Sequence, residues 1–264
     1  MKCQVTLALL VLIGCKTSEK KEASTMSMPG AYKMLSQHVK TDKIDTTYTG
    51  YEQMKIYTGD YMIYAGVNSP DSMSGFGIGT YSSSMDTVIE NVFYSASDSL
   101  KSDSAASYTL TIDKTAKGYK QTIPEMKTST GNITLTEEYE SVGDSITSPL
   151  DGAWKQTKTY YIIGKDTTFD ISSHVQYKAY GNGHVIWGYT YLDSAKKSHT
   201  GIGFGKFVMN GNKVKESMVA STYSDVRGKD FDADIVMDGA DAFTQTIMYA
   251  DSSTGVEVYK RLKK

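Results

Sequence analysis

Cysteine, arginine and long apolar runs are scarce in this sequence, and each shortage excludes a class of protein. Its 264 residues include two cysteines, Cys3 and Cys15, both close to the N-terminus, so no disulfide framework is expected. Two arginines and a formal net charge of −2 leave no basic stripe, which argues against a nucleic-acid-binding protein. No apolar run approaches the roughly 20 residues that a membrane-spanning helix needs.

The residue sets that carry catalysis are also missing. The four histidines show no metal-ligand spacing. The stretches GFGIG and GIGFG lack the lysine and the following helix of a phosphate-binding loop. The acidic run at 230–243 does not follow the ligand positions of an EF-hand. We therefore predict a protein that is not an enzyme and that has no metal site and no cofactor.

Strand-forming and turn-forming residues are abundant instead. The chain has 20 tyrosines and 23 glycines but four prolines. Runs such as HVIWGYTYL and YTLTID are short, aromatic or β-branched, and are separated by Gly, Asn or Asp. No apolar stripe with helical spacing extends beyond two turns. This pattern predicts an all-β meander.

The sequence contains an internal duplication. Six blocks match in order at offsets close to 120–126 residues: 29–34 with 151–156, 51–66 with 174–189, 75–81 with 201–207, 88–99 with 214–225, 118–123 with 242–247, and 137–142 with 256–262. We therefore predict one repeat over 29–144 and a second over 149–264, with a junction near 143–150 where Pro149 and small polar residues favour a linker.

A meander of this length has to protect its sheet edges. Closure into a barrel of about eight strands removes the edges altogether. Such a barrel has room for one small ligand when large side chains do not fill it. A two-sheet sandwich would give similar strand spacing, and periodicity does not separate the two. We predict two tandem antiparallel meander barrels of about eight strands each.

The N-terminus has the layout of a secretory signal. Lys2 precedes an apolar run over 5–13, and Leu12-Ile13-Gly14-Cys15 resembles the lipobox of bacterial lipoproteins, in which the cysteine is lipidated. We expect a signal peptide over 1–14, lipidation at Cys15 and a flexible tether over 15–28. The alternative is an ordinary signal peptide that happens to contain a cysteine.

These features predict a lipid-anchored protein of the bacterial cell envelope. Lys16 stands where some inner-membrane lipoproteins have an aspartate, which by resemblance favours the outer membrane. The lipid anchor is then the one expected contact with the membrane.

Two motifs of the second repeat resemble the lipocalin and calycin pattern. GAW contains Trp154, and the final EVYKRL contains Arg261. The resemblance implies a tryptophan across the closed end of the barrel with a basic residue packed over its indole ring. Tyr32 and Ser141 stand at these positions in the first repeat. Alternatively, Trp154 and Arg261 are a core and a surface residue that do not touch.

The order of these motifs also suggests a broader relationship. GAW, the glycine-rich block and the ending E-x-[YW]-K-R together resemble lipocalin-like domains of unknown function in lipoproteins of Bacteroidetes-type bacteria. The resemblance spans most of both repeats.

Each repeat places a glutamate among apolar residues at the same position. In VIENVFY and VKESMVAST, strand alternation puts four residues of each on one face: Val88, Glu90, Val92 and Tyr94, and Val214, Glu216, Met218 and Ala220. An inward-facing glutamate needs a hydrogen-bond partner because an unpaired buried carboxylate is costly. It is then either a polar anchor for a ligand or an internally satisfied structural residue. The remaining alternative is that it faces outward.

We predict that one or both barrels bind a small apolar or amphipathic ligand. The candidate binding residues are two acids and four aromatic residues: Glu90, Glu216, Tyr64, Trp187, Tyr94 and Tyr223. The alternative is a structural or protein-interaction module with filled barrels, whose protein partner the sequence does not name.

Overall fold

The computed structural model is all-β. It describes residues 27–67, 74–97, 101–102, 105–128, 131–144, 147–169, 174–249 and 251–264. No helix long and apolar enough to span a bilayer occurs in those ranges. The predicted signal peptide, the lipidation site Cys15 and the tether up to residue 26 lie outside the described residues.

The first repeat folds into a closed barrel. Its strands are β1 (Gly30–Lys40), β2 (Asp45–Thr49), β3 (Glu52–Tyr57), β4 (Tyr61–Val67), β5 (Gly75–Ser84), β6 (Thr87–Ser97), β7 (Lys101–Ser102), β8 (Ala106–Lys114), β9 (Gly118–Thr128) and β10 (Gly131–Val142). Eight strands form the ring in the order β1-β3-β4-β5-β6-β8-β9-β10, and β10 pairs back with β1. The short strands β2 and β7 pair with β1 and β6.

The second repeat closes in the same way. Its strands are β11 (Gly152–Ile163), β12 (Asp166–Phe169), β13 (Val175–Gly181), β14 (His184–Leu192), β15 (Ser198–Asn210), β16 (Lys213–Ser221), β17 (Asp230–Asp238), β18 (Ala242–Met248) and β19 (Thr254–Arg261). All except β12 form a ring of eight antiparallel strands that closes between β11 and β19. The prediction of two tandem eight-stranded barrels is confirmed, and the sandwich alternative is wrong.

The barrels pack side by side through an apolar interface. It is built from the outer faces of β3–β6 and β13–β16, with Ile63, Phe76, Ile186, Ile202 and Phe204 among its buried residues. Because β3 and β4 also line their own barrel, both of their faces are buried and nearly every residue of the two strands is buried.

A bulge in β6 corrects one expectation from the sequence. One extra residue, Phe93, lies between Val92 and Tyr94 without a match in β5. A bulge of this kind reverses the alternation of the side chains beyond it. Val92 therefore packs inside the barrel, whereas Tyr94 belongs to the interface between the barrels. The expectation that Tyr94 shares a face with Glu90 is wrong.

The second barrel has the same bulge at the corresponding place. Val219 is the extra residue of β16 relative to β15. Met218 packs inside the barrel, and Ala220 packs in the interface. Ala220 was expected on the face of Glu216, and that expectation is wrong for the same reason.

Candidate functional site

The closed end of the second barrel is sealed by Trp154, which is fully buried. Its indole nitrogen donates a hydrogen bond to the carbonyl oxygen of Leu150 at 2.7 Å. The guanidinium carbon of Arg261 lies 4.0 Å from the centre of the Trp154 ring, and its nitrogens donate to the carbonyl oxygens of Pro149 at 3.0 Å and Asp151 at 2.5 Å. This contact ties β19 to the segment that leads into β11.

Tyrosine takes over this place in the first barrel. The Tyr32 hydroxyl donates to the carbonyl oxygen of Met28 at 3.0 Å, again four residues earlier in the chain. Ser141 lies opposite Tyr32 across the strand pair, as Arg261 lies opposite Trp154. Both closed ends are thus held by an aromatic ring that is hydrogen-bonded to the incoming chain.

Above the closed end, the first barrel buries an ion pair. Lys55 Nζ lies 3.0 Å from Glu90 Oε1 and 3.2 Å from Gln121 Oε1, and Tyr57 donates its hydroxyl hydrogen to Glu90. The side chains of Lys55 and Glu90 are 3% and 5% exposed. Either charge alone would be strongly unfavourable there, so each requires the other.

A second carboxylate extends this network toward the open end. Glu137 receives hydrogen bonds from Gln121 at 2.5 Å, from Tyr139 at 3.1 Å and from Gln37 at 3.3 Å. Gln53 in turn donates to the Tyr139 hydroxyl oxygen at 2.5 Å. Glu137 is buried, and these donors replace the water that it loses.

The second barrel repeats the ion pair. Lys178 Nζ lies 3.0 Å from Glu216 Oε1 and 3.0 Å from Gln245 Oε1, and the Tyr180 hydroxyl donates to Glu216 at 2.6 Å. The side chains of Lys178 and Glu216 are 3% and 7% exposed.

The second carboxylate is repeated as well. Glu257 accepts a hydrogen bond from Tyr259 at 2.8 Å, and Gln176 donates to Tyr259. Glu257 is half-buried, whereas its counterpart Glu137 is buried.

Burial keeps the tyrosines of these networks protonated. Loss of water, followed by the negative charge of Glu90, raises the pKa of Tyr57 well above its usual value. Burial and the charge of Glu216 do the same to the pKa of Tyr180. Both hydroxyls therefore remain hydrogen-bond donors to the carboxylates even above about pH 10, where an exposed tyrosine ionises.

Sequence reasoning found the glutamates but missed the lysines and glutamines that bind them. The signal was present in the aligned repeats, because both contain Gln-x-Lys-x-Tyr, at 53–57 and at 176–180. Strand alternation puts these three residues on one face. A lysine that keeps its place between a glutamine and a tyrosine on the same face in both copies indicates a buried partner.

Each barrel contains a cavity beside its polar network. The cavities measure about 190 Å³ and about 180 Å³. Corresponding residues line them: Gln53, Lys55, Tyr64, Glu90, Gln121 and Glu137 in the first, and Gln176, Lys178, Trp187, Glu216, Gln245 and Glu257 in the second. A cavity of about 150 Å³ holds benzene, and pockets for drug-sized molecules start at about 300 Å³. These cavities therefore suit a single ring or a short chain.

The glycine-rich blocks shape the cavity walls. A Cβ atom on Gly77 would lie 2.5 Å from the ring of Tyr64, and one on Gly203 would lie 2.3 Å from the ring of Trp187. The glycines thus let these rings lie close against the neighbouring strand. The glycines of GFGIG and GIGFG therefore leave space for the aromatic side chains of the cavity walls.

Four of the six predicted binding residues line the cavities: Tyr64, Glu90, Trp187 and Glu216. The other two lie elsewhere. Tyr94 shares a hydrogen bond with Thr190 of the other barrel. The Tyr223 hydroxyl is hydrogen-bonded to Tyr189, which lines the second cavity.

The chemistry of the site is hydrogen bonding, ion pairing and aromatic contact. In the ranges that the structure describes, no group of three or more His, Cys, Asp or Glu side chains could hold a metal ion. His38 contacts Asp45 at 2.7 Å and His199 contacts Asp193 at 2.8 Å, each as a partly exposed pair.

Comparison with known proteins finds distant structural similarity. No protein-family model and no curated protein matches the chain. Two crystal structures of the vaccine antigen Transferrin Binding Protein B from Haemophilus parasuis Hp5 are similar to it. A double mutant shows 9% identity and a TM-score of 0.27, and a single mutant shows 10% and 0.26; each match covers 88% of this chain and 67% of the other. Similarity at this level carries no argument about function.

Proposed function

We propose that this protein binds a small apolar or amphipathic molecule in one or both of its barrels and does not change it chemically. One observation carries the proposal: a cavity of about 180–190 Å³ with an aromatic wall and a buried Lys–Glu–Gln network recurs at the same place in both barrels. Two cavities of matching chemistry are more than a chance packing defect, since protein interiors are otherwise close-packed. The closed meander barrels also fit the lipocalin-like resemblance of the sequence.

The proposed mechanism is reversible capture. The apolar body of the ligand gains roughly 25 cal/mol for each Å² that it removes from water. The polar group of the ligand replaces cavity water at the Lys–Glu–Gln network, which fixes its orientation. Because Lys55 and Lys178 are already paired with Glu90 and Glu216, the networks stay satisfied when the cavities contain water alone.

Cavity-filling variants test this proposal. Ile123 and Ile247 line the two cavities, so Ile123→Phe and Ile247→Phe should fill them. Ile89 and Val236 are exposed, so Ile89→Phe and Val236→Phe add the same bulk outside. Ligand-observed NMR with single-ring and short-chain amphiphiles should show binding to the native protein and to the exposed-site variants. The double variant with Ile123→Phe and Ile247→Phe should lose this binding.

The docking alternative predicts the opposite result. The lower half of each barrel is filled by large aromatic side chains, which suits a rigid module. If none of the amphiphiles binds the native protein and solvent extraction of purified protein releases no small molecule, ligand capture is wrong and docking is favoured.

We further propose that Cys15 carries a lipid that anchors the protein in the cell envelope, at the outer membrane. Met28 is buried at the closed end of the first barrel, so the described part of the chain begins at that end. Labelling with an alkyne fatty acid should mark the native protein. Cys15→Ser should abolish the label and move the protein to the soluble fraction, whereas Cys3→Ser should change neither.

A further inference from the structure

The second cavity carries a negative charge that its own lysine does not neutralise. Lys178 is paired with Glu216 at 3.0 Å. Glu257 also lines this cavity, and within the described part of the chain no lysine, arginine or histidine nitrogen lies within 4.0 Å of its carboxylate. Because Glu257 is half-buried, water screens its charge less than it would at the surface.

The two barrels differ in how this carboxylate is capped. In the first barrel, Gln37 lies opposite Glu137 across the strand pair and donates a hydrogen bond to it. In the second barrel, Thr159 lies opposite Glu257. Gln245, the counterpart of Gln121, lies opposite Glu257 across β18 and β19. The Gln37 amide has no equivalent there, which leaves the Glu257 carboxylate with one donor fewer than Glu137 and open to a donor from a ligand.

Aromatic faces lie beside Glu257 in the second cavity. Trp187 and Tyr189 line it, with ring centres 5.9 Å apart and planes 19° from parallel. The His174 ring is stacked on Tyr189 with ring centres 4.8 Å apart, so Trp187 offers the more open face. A Cβ on Gly203 would lie 2.3 Å from Trp187, and one on Gly201 would lie 2.4 Å from Tyr189, so both rings pack against β15. The face of an aromatic ring is its negative part and attracts cations.

The first barrel lacks half of this surface. The aligned repeats place Gly66 where the second barrel has Tyr189. A Cβ on Gly66 would lie 2.2 Å from the Tyr51 hydroxyl oxygen, so Tyr51 occupies that space. Both the extra ring and the less capped carboxylate thus belong to the second barrel.

We infer that the second barrel selects organic cations: molecules with a protonated amine that meets Glu257 and a single flat ring or short chain that packs on Trp187 beside Tyr189. This inference rests on the proposed function and assigns its ligand class. The volume of about 180 Å³ limits the part of the ligand that enters to roughly the size of one substituted ring.

Three probes with the same ring and different head groups test the inference on the full chain. They are 2-phenylethylamine, which is cationic near neutral pH, 2-phenylethanol, which is neutral, and phenylacetate, which is anionic. Calorimetry and Trp187 fluorescence should report binding of the amine at least about tenfold tighter than the alcohol, with the anion weakest. Trp187→Phe identifies the fluorescence response of the cavity, because the other tryptophan, Trp154, is buried at the closed end.

Charge-matched variants locate the preference. Glu257→Gln should bring the amine and the alcohol to within about threefold of each other, since the charge-assisted hydrogen bond is lost. Asp232→Asn removes the same charge from an exposed position of β17 and should leave the preference intact.

The outcomes separate this inference from the proposed function. Equal binding of the amine and the alcohol to the native protein would overturn the cation preference while leaving ligand capture in place. This comparison needs no variant, so it decides even if Glu257→Gln does not fold. Failure of all three probes to bind would also overturn the inference, and the wider amphiphile screen then decides on capture itself.

Discussion

Lys178 Nζ lies 3.0 Å from Glu216 Oε1 in the interior of the second barrel, and Lys55 and Glu90 repeat this contact at the same distance in the first. Each pair joins strands that are distant in sequence and is completed by a glutamine and a tyrosine. A buried ion pair adds little net stability over a well-packed apolar pair, but the loss of one partner is costly. The pair therefore holds the polar groups of each cavity in place.

The first prediction concerns one partner of this pair. Lys178→Met leaves Glu216 buried without its cation, and we expect the free energy of unfolding to fall by about 3–5 kcal/mol. Urea unfolding followed by circular dichroism measures the change. The matched control is Lys213→Met, since Lys213 forms an exposed pair with Asp234 at 2.5 Å, and we expect about 1 kcal/mol or less. Similar losses in both variants would contradict this account of the interior.

The second prediction gives the closed end of the second barrel the residues found in the first. Trp154→Tyr together with Arg261→Ser copies the pairing of Tyr32 and Ser141. Arg261 packs on the indole ring, so each single substitution already breaks this contact. We therefore expect the double variant to lose about 0.5–2 kcal/mol less unfolding free energy than the sum of the losses in the two single variants. Thermal unfolding of the four proteins measures this coupling. Strict additivity would show that the contact contributes no energy.

The third prediction concerns the glycines of the cavity wall. Gly203→Ala places a methyl group 2.3 Å from the Trp187 ring, so the ring has to move. We expect a loss of about 1–3 kcal/mol in unfolding free energy and a changed Trp187 emission spectrum. Gly59→Ala is the control, because nothing lies within 4 Å of the added atom, and it should change neither quantity. An unchanged spectrum for Gly203→Ala would place Trp187 away from this wall.

The fourth prediction is a loss of stability at high pH. Burial, with the charges of nearby glutamates, raises the pKa of Tyr57 and Tyr180 well above the usual value. Burial raises the pKa of Tyr81 to about 12. The unfolded chain releases these protons near pH 10, so the stability they contribute is fully present below about pH 10 and is lost as the pH rises through the folded pKa values.

Ultraviolet titration of the phenolate groups measures this effect. The exposed tyrosines should ionise near pH 10, and the buried ones should ionise later, together with the loss of circular dichroism. A single smooth titration of all 20 tyrosines near pH 10 would contradict the buried networks.

The sequence predicted the glutamates of the site but not the contacts that they make. Glu90 and Glu216 were visible because alternation reveals which residues share a face. The repeated Gln-x-Lys-x-Tyr marked the lysines, but the sequence did not show which acid each one meets, since Lys55 is 35 residues from Glu90 and 66 from Gln121 along the chain. Alternation says nothing about which strand of a closed ring lies opposite another. Tyr94 was misplaced because a one-residue bulge has no signature in the alternating pattern.

The sequence by itself determined the duplication and the strand content. These depend on local propensity, on alternation and on the comparison of one half with the other. The tertiary structure alone decided that the strands close into rings, that Lys178 meets Glu216, and that space remains beside Glu257. Closure and unfilled volume depend on how strands from opposite sides of a barrel fit together, and no local pattern encodes that fit.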